Sequence, residues 1–142
     1  MKFFKLEPKK SVLFVCVQNA GRSQIAEAFF KKYSSKEYES ISAGTMPVSE
    51  INPLAVQAMS EVGIDISTQK SKEITEDMIR NSSKIVNMGC MDKQSCPTLF
   101  LQNILDWNIE DPKDKPIEKV REIRDEIEQR VKELVASIKN YE

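Results

Sequence analysis

Four short apolar runs punctuate the chain, at residues 12–16, 38–43, 84–88 and 103–107, and segments with helical spacing separate them. Strands that are apolar almost throughout are those buried on both faces of a parallel sheet, because each parallel crossover lays a helix on the sheet. The alternation predicts an α/β domain of three layers, a four-stranded parallel sheet flanked by helices on both faces.

Several helix ends are marked in the sequence. Residues 23–30 read as a helix leaving the first strand. Asn52-Pro53 sets an N-cap residue before a proline at the first helical position, opening residues 54–59, and Gly63 stands where that helix stops. Residues 75–81 predict a shorter helix. Pro116 starts the last one, in which Ile117, Val120, Ile123, Ile127, Val131, Leu134 and Ile138 recur three and four apart as one apolar stripe. Its charges read as a solvated face, with Glu126–Arg130 and Glu128–Lys132 each adding about 0.2–0.5 kcal/mol.

The chain has 142 residues, enough for one domain over residues 1–142 with a core that needs no disulfide or metal staple. Its 21 basic and 22 acidic residues give a formal charge of −1, so no global field draws it to nucleic acid or to a membrane. Any anion specificity is therefore local. No apolar stretch approaches the ~20 residues of a spanning helix, and the start of the chain is too short in apolar residues for a signal peptide, which makes the cytoplasm the expected compartment. Three cysteines, odd and sparse, suit reactive thiols in a reducing compartment better than an oxidised framework. There is no histidine, which removes Cys-His and Ser-His catalysis and the commonest metal ligand together. No metal and no cofactor are called for, and any general acid is a carboxyl or a Tyr, Lys or Cys.

The chemistry concentrates in Cys16-Val17-Gln18-Asn19-Ala20-Gly21-Arg22-Ser23, between the first strand and the first helix. A thiol there lies beneath a helix N-terminus, where unpaired N–H groups and the positive end of the helix dipole favour an anion. The same field, with Arg22, favours thiolate over thiol. One loop thus both grips an oxyanion and readies a sulfur to attack it. The plainer alternative is a buried cysteine that ends a strand.

Cys90 and Cys96 follow the third strand, which brings them to the same carboxyl edge as Cys16 in a parallel sheet. Were the segment between them helical, their Cα atoms would be about 9 Å apart, beyond the ~7 Å reach of a disulfide, so bonding requires it to unwind. Gly89 and Pro97 make its ends poor helix. Either the pair is redox-active or both are small buried hydrophobes. Glu110-Asp111-Pro112 follows the fourth strand, where a carboxyl at that edge can protonate a leaving oxygen, although an isolated Asp-Pro is ordinarily a turn.

With these residues in hand, nearly the whole chain resembles the low-molecular-weight tyrosine phosphatase fold and, within it, the thioredoxin-coupled arsenate reductases. The resemblance implies Cys16 as nucleophile, Arg22 as bidentate oxyanion clamp, Ser23 as a donor to the thiolate, Asn19 as the residue fixing the loop, and Asp111 as general acid. It makes the N–H groups of Val17, Gln18, Asn19, Ala20, Gly21, Arg22 and Ser23 the oxyanion cradle. Residues 42–45, 52–56 and 63–67, Cys90, Cys96-Pro97, and Arg121 with residues 124–127 look like the reductase branch. Many relatives carry a second cysteine where this chain has Gly21, an exchange expected to remove one thiol and loosen the loop. The spacing of Cys90 and Cys96 is one residue shorter than the usual pattern. Lys113 replaces the tyrosine that follows Asp-Pro in the phosphatases, which weakens the tyrosine phosphatase alternative.

The expected activity is reduction of arsenate to arsenite through a Cys16/Cys90/Cys96 relay reset by a thioredoxin-like reductant. The alternative is a phosphatase hydrolysing phosphate monoesters, with a phosphotyrosine protein as partner. A third reading, a noncatalytic anion sensor on the same fold, fits less well with Cys16, Arg22, Ser23 and Asp111 occurring together.

Overall fold

The structure is a computed structural model, and it describes residues 10–89 and 104–139. Cys90 and Cys96, Pro97, Asn103 and the first residues of the chain lie outside the described residues. Among the described residues four strands and four helices follow in the order β1 (Lys10–Cys16), α1 (Arg22–Tyr33), β2 (Tyr38–Gly44), α2 (Pro53–Glu61), α3 (Glu76–Asn81), β3 (Lys84–Asn87), β4 (Ile104–Asp106) and α4 (Ile117–Lys139). All pairings are parallel, in the order β2-β1-β3-β4.

β1 is covered on both faces, as its apolar sequence requires. Val12, Phe14 and Cys16 point into a core shared with α1, α2 and α4, whereas Leu13 and Val15 point the other way, into a smaller cluster with Ile79 of α3. The stripe of α4 supplies the larger core, with Val120, Ile123, Ile127, Val131 and Leu134 all buried. Val135, next to that stripe, is buried as well. Trp107 packs on Phe14 with ring centroids 5.9 Å apart.

The helix ends form by the chemistry their residues carry. Asn52 Oδ1 accepts from Leu54 N–H at 2.9 Å, and Thr75 caps α3 by accepting from Met78 N–H. Gly63 has φ +82°, and Gly63 and Ile64 N–H donate back to Ser60 O and Met59 O at 3.0 Å each, the double bond of a Schellman end. Pro116 sits one position ahead of the helix proper: its carbonyl accepts from Val120 N–H at 3.1 Å. No helix among the described residues is long and apolar enough to cross a membrane.

The charged faces of the helices tie elements together. Arg130 meets Glu126 at 3.3 Å and Lys132 meets Glu128 at 3.9 Å along α4. Tyr33 of α1 donates to Glu128 at 2.5 Å, and this bond to a carboxylate is the main reason its phenol is pushed up to about 12. Arg121 and Arg124 reach across to Glu61 at the end of α2, at 2.7 and 2.9 Å, and Arg124 also donates to Ala58 O at 2.9 Å.

The Arg121 bond, foremost, holds the Glu61 carboxyl below its usual range. A carboxyl lowered by folding stabilises the native state above its unfolded value and loses that contribution as pH falls through the folded one. Glu61→Gln should therefore lower the melting temperature at pH 7. The gap to wild type should close as pH falls through the carboxylate range; thermal melts at pH 7, 5 and 3 check this, and a constant gap would count against the linkage.

Candidate active site at the carboxyl edge of the sheet

Cys16 closes β1 and Arg22 opens α1, so residues 17–21 turn the chain at the carboxyl edge. Their carbonyls are taken up one after another by the stretch that follows β2. Thr45 N–H donates to Cys16 O at 3.2 Å, Met46 to Val17 O at 2.7 Å, Val48 to Gln18 O at 3.3 Å and Asn52 to Ala20 O at 2.8 Å. Gly44 permits this approach, since a Cβ there would stand 2.6 Å from Val17 O and 2.9 Å from Asn19 N.

A trans peptide points its C=O and N–H in opposite directions, so carbonyls held outward turn the following N–H groups inward. Asn19 N–H is one of these, and it reaches Cys16 Sγ at 3.3 Å. No carbonyl or side chain among the described residues accepts from the N–H groups of Ala20, Gly21 or Arg22. These donors lie at the unpaired N-terminus of α1, whose N-cap, Gly21, offers no side-chain acceptor.

Asn19 holds the loop in shape. Its φ of +53° belongs to the left-handed region that asparagine tolerates better than most side chains, and it is completely buried. Its Oδ1 accepts from Lys72 N–H at 2.8 Å, a group that can only donate, which fixes the amide's orientation. Asn19 Nδ2 then donates to Ser23 Oγ at 2.7 Å. The same hydroxyl lies 2.8 Å from Cys16 Sγ, where either atom can donate. The sulfur thus has two polar partners, the Asn19 N–H that donates to it and the Ser23 hydroxyl.

Behind Asn19 lies a second frame. Gln24, fully buried in the first turn of α1, donates through Nε2 to Asn19 O, Asn19 Oδ1 and Lys70 O, each at 3.0 Å. Its Oε1 accepts from Gln69 at 2.5 Å, and Ser71 Oγ donates to Asn19 O at 2.8 Å. Residues 69–72 thus form a strap beneath the loop. The strap is fastened in turn, since Lys72 O accepts from Gly44 N–H at 2.8 Å and Lys72 Nζ lies 3.9 Å from the buried Glu27 carboxylate.

Arg22 is only 8% exposed. Its Nη1 donates to Ile109 O at 3.1 Å, and its Nη2 stands 3.6 Å from Asp111 Oδ2. Asp111 is half exposed, and Lys113 N–H donates to its Oδ1 at 3.0 Å, the turn expected of Asp-Pro and one that also aims the carboxyl. A Cβ at Gly21 would stand 2.8 Å from Pro112 Cγ, so glycine lets the Asp-Pro turn close on the cup.

A cleft of about 360 Å³ opens over these groups, lined by Cys16, Gln18, Ala20, Gly21 and Arg22, by residues 48–53 and by residues 111–114. No aromatic ring is among its described lining residues. The structure thus brings Cys16, Arg22 and Asp111 together, with Asn19 and Ser23 buried behind the sulfur and Val17 outside the lining. Cys90 and Cys96 lie outside the described residues. Gln24 and residues 69–72 escape a reading by pattern; the available signal is a glutamine in the first turn of a helix whose middle is largely apolar.

Gln24→Leu keeps the volume and removes the donors. It should lower kcat/KM about tenfold to a hundredfold and destabilise the fold by about 1–3 kcal/mol, because Asn19 O and Gln69 lose a buried partner. Steady-state kinetics with denaturant titration check both, and unchanged kinetics would mean that the strap is only structural.

Residues 11–142 match the model of the family described as low molecular weight phosphotyrosine protein phosphatase. An arsenate reductase from Brevibacillus brevis is 40% identical over 130 residues, covering 91% of this chain and 96% of that protein. Among solved structures, a thioredoxin-dependent arsenate reductase from Corynebacterium glutamicum superposes with a TM-score of 0.82 at 42% identity, over 97% of this chain. This chain spans 66% of that protein's length. An arginine phosphatase from Geobacillus stearothermophilus superposes with a TM-score of 0.83 at 25% identity, over 93% of this chain and 94% of that one.

Proposed function

The chain belongs to the low molecular weight phosphotyrosine protein phosphatase family, and within it we propose a three-thiol arsenate reductase reset by a thioredoxin-like dithiol. The observation that carries this is Cys16 Sγ set against Asn19 N–H and the Ser23 hydroxyl beside Arg22, in a cleft with no aromatic ring among its described lining residues. The relatives named arsenate reductase support it, and so do the two further cysteines of the sequence.

Arsenate is held by the inward N–H groups of the loop and the Arg22 guanidinium. The Cys16 sulfur attacks arsenic, an oxygen leaves as water with a proton from Asp111, and a sulfur–arsenic bond has replaced an arsenic–oxygen bond. Cys90 then attacks Cys16 Sγ. The sulfur–sulfur bond forms as the sulfur–arsenic bond breaks, and its electron pair stays on arsenic, which leaves as arsenite. Cys96 attacks Cys90 Sγ and frees Cys16, so two thiols have supplied two electrons and two protons and become one disulfide. A thioredoxin-like dithiol reduces that disulfide.

Phosphate and arsenate are both tetrahedral oxyanions, so the cup also admits a phosphate monoester, whose hydrolysis needs Cys16, Arg22 and Asp111 but not the other thiols. The proposal is tested on this difference. Cys90→Ser should abolish arsenate-dependent oxidation of thioredoxin while leaving hydrolysis of an aryl phosphate within about twofold of wild type. Arsenate reduction that survives the substitution would overturn the relay, and phosphotyrosine hydrolysis without any arsenate reduction in wild type would favour the phosphatase.

A further inference from the structure

We propose that Gly89 is a positioning residue for oxyanion binding, acting through the Arg22 guanidinium; this rests on the reading of the loop as an oxyanion cup. β3 ends at Asn87, and the chain passes through Met88 and Gly89 at the edge where the loop lies. Met88 N–H still donates to Val15 O of β1 at 2.7 Å. Gly89 N–H donates to Asn87 Oδ1 at 3.1 Å, and Asn87 Nδ2 donates to Asp106 Oδ1 of β4 at 3.1 Å. The backbone at Gly89 is therefore set by the sheet and not by the loop.

Two observations make this position special. Gly89 has φ +133°, a conformation that side chains rarely adopt. A Cβ there would also stand 2.8 Å from Arg22 Cζ and 3.0 Å from Nη2, with Nη1 nearer still. The guanidinium is a rigid plane at the end of a flexible stem, so it can yield to such a contact only by moving as a whole. Its other sides are engaged by Ile109 O and by Asp111, and it is almost completely buried. The missing side chain of Gly89 is thus the space in which the guanidinium sits. A methyl group would displace it from Ile109 O, from Asp111 and from its place beside the cup.

A double-mutant cycle on the full chain separates this contact from backbone strain, because lysine at position 22 keeps a charge but has no fork to collide. Dissociation of inorganic phosphate, and KM and kcat for arsenate, are measured for wild type, Gly89→Ala, Arg22→Lys and the double variant. Gly89→Ala should weaken phosphate binding and raise KM about tenfold or more, with a smaller change in kcat; in the Arg22→Lys background it should change phosphate binding by less than about twofold. Equal losses in both backgrounds, or wild-type affinity in Gly89→Ala, would overturn the proposal. If Gly89→Ala does not fold, Asn87→Ala releases the Gly89 amide without adding a side chain and should weaken phosphate binding about threefold in wild type and not with Arg22→Lys; unchanged binding overturns the proposal equally. Wild-type protein that binds no phosphate would instead refute the cup itself.

Discussion

A cup built from main-chain N–H groups exists only if the carbonyls of the same peptides find partners on its outer side, since each peptide carries one of each and neither can be buried unpaired without cost. That constraint organises the site. The stretch after β2 takes Cys16 O, Val17 O, Gln18 O and Ala20 O, and the strap at residues 69–72 holds Asn19 from beneath. Both are anchored at Gly44, whose missing side chain lets the outer chain approach and whose N–H and C=O bond to Lys72 and Ile74. The loop is therefore held in shape by bonds that do not involve an anion, which is what electrostatic preorganisation requires.

The same frame gives the nucleophile its setting. Lys72 N–H to Asn19 and Asn19 to Ser23 form one directed series, in which the first bond fixes the orientation of the next, and it ends with the Ser23 hydroxyl against Cys16 Sγ. It begins at a main-chain amide, which cannot reverse. Cooperative chains of this kind strengthen one another at low local dielectric, and a break at any member leaves a buried polar group unmatched. Around Arg22, two glycines do complementary work: Gly21 admits Pro112, bringing Asp111 near, and Gly89 leaves room for the guanidinium.

Much of this was legible in the sequence, for identifiable reasons. β1, buried on both faces, announces itself as an apolar run, Asn52-Pro53 and Gly63 have local chemistry that marks helix ends, and the stripe of α4 repeats through six turns. Cys16, Arg22 and Ser23 are close in sequence, so their convergence needs only one strand-to-helix turn, and Asp111 joins them because parallel strands present their carboxyl ends together. The strap was not legible. Gln24 and Lys72 are 48 positions apart and meet through Asn19, and a buried glutamine in a helix leaves no periodic trace. The packing at Gly21 was not legible either, because its neighbour Pro112 is distant in the chain.

The most direct test of the preorganised cup is a crystal structure of the reduced protein soaked in phosphate. A tetrahedral anion should sit above Cys16 Sγ, with oxygens about 2.7–3.1 Å from the inward N–H groups of the loop and from Arg22. The backbone of residues 16–23 should stay as it is here. Phosphate bound elsewhere, with the cup closed or rebuilt and Asn19 released from Lys72, would contradict the account.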